Sequence, residues 1–206
     1  MKALSKKLLP LVLFAIAVTS LFSVQPAQAF TVTLQEMGLN VVANGRGAIN
    51  LTGLSIPTHG SSVAAMQANL GDLAVAGGSQ DVYRGLTGPS NFGIGGLFFA
   101  SSSSGDAVTI FGNFMGDIRL FVPQGYVSGT ALSDSATYNN ASFFSLGVHT
   151  GTYVWSWGTG LPNQNFTLII GGAGVPDGGS TVSLLGFGLL GLAALRRKLS
   201  SQERKS

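Results

Sequence analysis

The sequence predicts an all-β fold: an antiparallel β-sandwich of about eight to ten short strands, flanked by an N-terminal signal helix and a C-terminal transmembrane helix. Three observations carry that expectation. Between residues 30 and 170, several segments alternate apolar and polar residues with period two, the pattern of a strand with one buried face. Gly, Asn, Ser and Pro clusters interrupt those segments at short spacing, in a chain with 30 Gly. One continuous apolar run near each terminus stands outside the alternation and reads as helix.

Taken in order, Phe30, Val32 and Leu34 alternate with Thr31, Thr33 and Gln35, which makes the first strand. Further strands are expected at 47–54, 81–86, 92–100, 106–114, 117–122, 125–132 and 142–148. The last two come from Tyr153, Trp155 and Trp157 and from Phe166, Leu168 and Ile170, each set alternating with its neighbours. Turns fall at Asn44-Gly45, Gly77-Gly78, Gly88-Pro89, Ser101 to Gly105, Asn139-Asn140 and Gly158 to Pro162. Ser62 to Leu70 is the one helix-like stretch, with Val63, Met66 and Leu70 on one face. A domain of about 150 residues buries roughly two-thirds of its unfolded surface, enough for a core without disulfides.

Charge separates the middle from the ends. The formal charge is +3, but Lys2, Lys6, Lys7, Arg196, Arg197, Lys198, Arg204 and Lys205 all lie in the tails. The middle keeps Arg46, Arg84 and Arg119 against Glu36, Asp72, Asp81, Asp106, Asp117 and Asp134, three cations against six anions, hence −3. Nucleic-acid binding is excluded on that balance, because few phosphate counterions could be released.

The N-terminal 29 residues run from a basic start through an apolar stretch at Leu8 to Val24, past Pro26, to Ala27-Gln28-Ala29. That is the plan of a secretory signal peptide, with Ala27 and Ala29 as the small residues of a signal peptidase site and Phe30 as the first mature residue. The C-terminal segment 175–206 has a Pro/Gly-rich break, an apolar helix at 181–195 and a basic end at 196–206. That helix would rise about 22 Å, short of a roughly 30 Å hydrocarbon core, a gap that snorkelling by Arg196 and Arg197 can close. The positive-inside rule places the basic end in the cytoplasm and residues 30–174 across the membrane, on the periplasmic side.

Val175-Pro176-Asp177-Gly178-Gly179-Ser180, followed by a Leu/Gly-rich helix that ends in the basic stop cluster Arg196-Arg197-Lys198, resembles the VPDSG variant of the PEP-CTERM sorting signal. Gly178 stands where the family has Ser. The resemblance implies recognition by an exosortase, cleavage near the motif, and transfer of an inner-membrane-anchored precursor to the cell surface, the extracellular matrix or its exopolysaccharide. Segments such as DVYRGLTGPSNFGIGG and GTYVWSWG also resemble the uncharacterised passengers of such proteins, which implies no activity.

Residues that could carry chemistry are sparse. There is no Cys, only two His (His59 and His149), and no metal-binding spacing, so neither a metal nor a cofactor is expected. No G-x-S-x-G elbow, dinucleotide loop or Walker lysine occurs in the middle segment. The segment 30–174 is therefore expected to be no enzyme but a structural or adhesive module for exopolysaccharide, its Ser, Thr, Asn and Gly offering a neutral hydrogen-bonding surface. Two alternatives stay open. Tyr153, Trp155 and Trp157 could form an aromatic platform for sugar rings, or the same stripe could be sheet core. An envelope hydrolase would need an acidic pair, or a His brought against a carboxylate and a hydroxyl.

Overall fold

A computed structural model describes residues 28–55, 57–114 and 116–171. The expected signal helix, the 181–195 helix and the motifs around it lie outside those residues. Among the described residues no helix is long and apolar enough to cross a membrane.

The described residues form thirteen strands, more than the expected eight to ten. They are β1 (Phe30–Met37), β2 (Asn40–Ala48), β3 (Thr58–Ser62), β4 (Ala65–Gln67), β5 (Asp72–Ala74), β6 (Gly78–Arg84), β7 (Leu97–Phe99), β8 (Ser102–Gly105), β9 (Thr109–Phe114), β10 (Asp117–Pro123), β11 (Ala131–Tyr138), β12 (Gly151–Ser156) and β13 (Asn165–Ile170). One short helix, α1 (Phe143–Leu146), and a 3-10 turn at Ala68–Leu70 complete the described elements. Six strands form one sheet in the order β12-β13-β1-β2-β11-β8, and seven form a second in the order β3-β6-β10-β9-β5-β4-β7.

The two sheets share one core. Phe30, Val32, Leu34, Trp155, Phe166 and Leu168 from the first are buried in one cluster with Met66, Leu73, Ile110, Leu120 and Val122 from the second. Phe166 anchors the middle, with Phe30 and Trp155 ring centroids 5.6 and 5.7 Å away. Tilted and edge-on contacts of this kind add to simple burial.

The sheet is not wholly antiparallel. β1 pairs antiparallel with β2 but parallel with β13, Phe30 facing Phe166 and Leu34 facing Ile170. A parallel pair needs a long connection, and here almost the whole chain between the first and last strands supplies it. The arrangement puts the start of β1 and the end of β13 at opposite ends of the sheet.

Several local expectations are corrected. The segment 142–148 is a capped helical turn rather than a strand: Ser142 Oγ accepts from the Ser145 N–H, Ser145 answers reciprocally, and Gly147 ends the turn at φ +62°. Ser101 to Gly105, expected as a turn, contains edge strand β8, held to β11 by Ser104 and Ser135 hydroxyls 3.0 Å apart. The helix-like stretch 62–70 is β4 followed by the 3-10 turn. The strand expected at 47–54 instead ends at Ala48, and the one expected at 125–132 begins only at Ala131.

Candidate functional site

The aromatic stripe is core: of the two readings left open for Tyr153, Trp155 and Trp157, the structure takes sheet core over an exposed platform. Trp155 and Trp157 are buried, and their indole N–H groups donate inward, to Pro89 O at 2.8 Å and Asn50 O at 2.7 Å. Tyr153 is half-buried, its hydroxyl donating to His149 O at 3.1 Å. In β12 the odd positions face the core, and the solvent receives Thr152, Val154 and Ser156.

What the first sheet shows to solvent is a field of hydroxyls and amides. Its pairing aligns Val154, Thr167, Thr31, Arg46 and Ser133 in one row across five strands. The next row holds Thr152, Ile169, Thr33, Asn44, Ser135 and Ser104. Arg46 is the only charged residue in these two rows. Neighbouring strands stand about 4.8 Å apart, so the rows present donors and acceptors at a regular spacing.

The outer face of the second sheet is different. Val63, Gln67, Asp72, Leu97, Phe99 and Phe111 line an open groove of about 380 Å³. Phe111 is fixed edge-on against Phe121, centroids 4.8 Å apart. Burial pushes the Asp72 carboxyl up to about 6, against the opposing pull of the Gly112 and Asn113 N–H groups. Gly112 N donates to Asp72 Oδ1 at 3.1 Å. Sequence reasoning missed these residues; the one available signal was the Leu97-Phe98-Phe99 run, which breaks the period-two rule and so must expose an apolar side chain.

The two histidines part company. On the first strand of the second sheet, His59 sits directly across from Asp81, its Nδ1 2.9 Å from Oδ1, while Gly125 N donates to Oδ2 at 2.9 Å. A nucleophilic triad would use such a contact to orient its His, but His59 is not among the residues lining the groove. His149 lies just before β12, its N–H donating to Phe92 O at 2.9 Å.

A third feature lies inside the first sheet. Asp134 faces the core from β11, stacked over Gly45 of β2. It is buried, and neither carboxylate oxygen has a hydrogen-bond partner. Burial, and then the nearby Asp106 carboxylate, push it up to about 8; the Gly45 N–H opposes this weakly without reaching hydrogen-bond geometry.

At the chain's ends the described residues begin just past Ala27. Ala29 bridges Ala48, and Ala48 N donates to Gln28 O at 2.7 Å, so the Ala29–Phe30 bond is built into the sheet. Val175, Pro176, Asp177, Gly178, Gly179 and Ser180, with Arg196, Arg197 and Lys198, lie outside the described residues.

Comparison with known families finds the VPDSG-CTERM motif at residues 174–199. No curated protein and no solved structure matches the chain. The motif implies export and exosortase processing of a membrane-anchored precursor.

Proposed function

We propose that signal peptidase removes residues 1–29, that the 181–195 helix then holds the module on the periplasmic side, and that an exosortase cuts within 175–180. The module moves to the cell surface or the extracellular matrix. There it acts as a structural or adhesive β-module on exopolysaccharide, without catalysis of its own.

The observation that supports the adhesive role is the hydroxyl and amide field on the first sheet, nearly free of charge. A hydrated polysaccharide exchanges hydrogen bonds with such a face one for one, so each contact adds little and many rows add up. Asn44→Glu with Thr152→Glu places two carboxylates in one row without touching the core. Retention on isolated exopolysaccharide should fall about tenfold, equivalent to about 1.4 kcal/mol. Unchanged retention would remove the face from the account.

The groove favours a second reading, carbohydrate binding through its aromatics, with exposed Phe99 and half-buried Phe111 in place of the buried tryptophans. Phe99→Ser separates the two: a loss confined to that variant assigns binding to the groove. Processing is tested by intact-mass measurement of surface protein with and without the host's exosortase. Loss of 1–29 and of everything after the 175–180 motif is expected; a C-terminus intact to Ser206 would make the segment a permanent anchor.

A further inference from the structure

The parallel pairing of β13 with β1 decides which end of the module faces the anchor. Gly171 leaves β13 beside Leu34, donating to Leu34 O at 3.0 Å, three residues before β1 ends at Met37. Residues 172–180 then reach at most roughly 30 Å before the apolar run begins. This end of the sandwich is therefore held close to the bilayer whenever that run is inserted.

The same end carries the three most exposed large apolar side chains among the described residues, with a fourth beside them. Phe144 of α1 is 95% exposed, Leu39 and Ile94 78%, and Met37 56%. They are gathered by specific contacts. Gly38, at φ +66°, turns β1 into β2 through Leu39. Ala141 N donates to Leu39 O at 3.0 Å, and Phe143 N to Glu36 Oε1 at 2.6 Å, which seats α1 on that turn. Ile94 N donates to Gly147 O at 2.8 Å, bringing Ile94 to the end of α1. A Cβ on Gly171 would stand 3.5 Å from the Phe143 ring, so the exit point adjoins α1 as well.

Charge is nearly missing from this end. Its acidic and basic side chains are Glu36, already accepting from Phe143, and His149, and its other titratable groups are the Tyr138 and Tyr153 hydroxyls. Arg46, the only basic residue in the strands of the first sheet, pairs with Thr31 at the other end.

We propose that this end is a membrane-docking face: in the anchored precursor, Met37, Leu39, Ile94 and Phe144 settle into the boundary between lipid headgroups and acyl chains. The inference rests on the anchored-precursor reading above. Four side chains alone give a weak hold, as one short apolar anchor does. The tether supplies the rest, because a short linker raises the local concentration of the face at the membrane to the millimolar range, on the order of 1 mM or more. Exosortase cleavage removes that contribution, so the cut that frees the chain also frees the face. An uncharged contact of this kind is insensitive to ionic strength and needs no anionic lipid.

The chain has no Cys, so a single introduced Cys is a unique label site. The full chain is expressed in a host without exosortase, recovered after signal cleavage and reconstituted into phosphatidylcholine vesicles. An environment-sensitive fluorophore is placed on Met37→Cys, or, as far-end controls, on Val127→Cys or Leu161→Cys. Quenching by spin-labelled phosphatidylcholine should be several-fold stronger at 37 than at 127 or 161, and the same at low and physiological salt. Adding Leu39→Ser and Phe144→Ser, both at the surface, should lower quenching at 37 to the control level. Equal quenching at all three sites in vesicles that carry the chain overturns the docking face while leaving the anchor standing. A chain that fails to float with the vesicles overturns the anchor and the face together. A blue shift at 37 that grows with protein concentration in the absence of lipid assigns the face to a second copy, which also overturns the proposal.

Discussion

Asp134→Asn should remove most of the module's pH dependence between pH 4 and 8. The wild-type carboxyl has an ordinary value of 3.8 and is pushed up to about 8 by burial and by Asp106. Below 3.8 it is protonated in both states and contributes no slope. Between 3.8 and about 8 the unfolded chain ionises while the folded one stays neutral, so stability falls as pH rises; above about 8 both are charged and the loss levels off. At about 1.4 kcal/mol per unit, roughly 4 kcal/mol is gone by pH 7. An amide of the same shape cannot ionise. Its extra N–H lacks a partner, as the carboxyl oxygens do now, and this costs about 1–3 kcal/mol at every pH. The pH-independent part cancels when the substitution's effect at pH 7 is compared with its effect at pH 4. That difference should be about 4 kcal/mol in favour of Asn, or roughly 10 °C in melting temperature for a domain of this size. The assay is thermal or urea unfolding of the mature module, wild type and variant, from pH 4 to 8. Parallel profiles would show that Asp134 is ionised in the folded state and that the argument from burial is wrong.

Three further outcomes follow from the packing. Gly45→Ala should cost about 2–3 kcal/mol in urea unfolding, because a Cβ there overlaps Asp134 Oδ1 and the Phe30 ring; a neutral result would mean that the two side chains move apart freely. Trp155→Ala should cost about 3–5 kcal/mol and Phe144→Ser no more than about 0.5 kcal/mol by thermal melt, since one fills the core and the other meets solvent. The folded full chain should resist signal peptidase while the urea-unfolded chain, diluted into enzyme, is cut after Ala29, because the scissile bond is held in the sheet; equal cleavage by gel assay would refute this.

Strands with strict alternation were legible: β1, β12 and β13 stand where Phe30, Tyr153 and Phe166 begin their series. β11 was misplaced because its inward positions are Leu132, Asp134, Ala136 and Tyr138, and a carboxylate at a core position erases the period-two signal. β8 was hidden for the opposite reason: its three serines and one glycine have low strand propensity and are held by pairing with β11. α1 escaped because four residues offer no helical period, and its Ser142/Ser145 cap departs from the usual Glu or Gln at the third position. The VPDSG-CTERM motif was readable, since its order of break, apolar run and basic cluster is local in sequence. The groove and the hydroxyl rows were not, because both depend on which strands become neighbours.

The parallel β1–β13 pair ties these pieces to the export route. β1 lies between β13 and β2, and its buried Phe30, Val32 and Leu34 are the centre of the first sheet. Phe30 stands level with Phe166 and Leu34 with Ile170, so the start of β1 and the end of β13 lie four residues apart along the strands, about 13 Å at about 3.3 Å per residue. Residues 25–29 separate Phe30 from the first apolar run, and residues 172–180 separate Gly171 from the second. On the proposed route, signal cleavage frees the start of β1, and exosortase cleavage, at the longer of the two connections, releases the finished module.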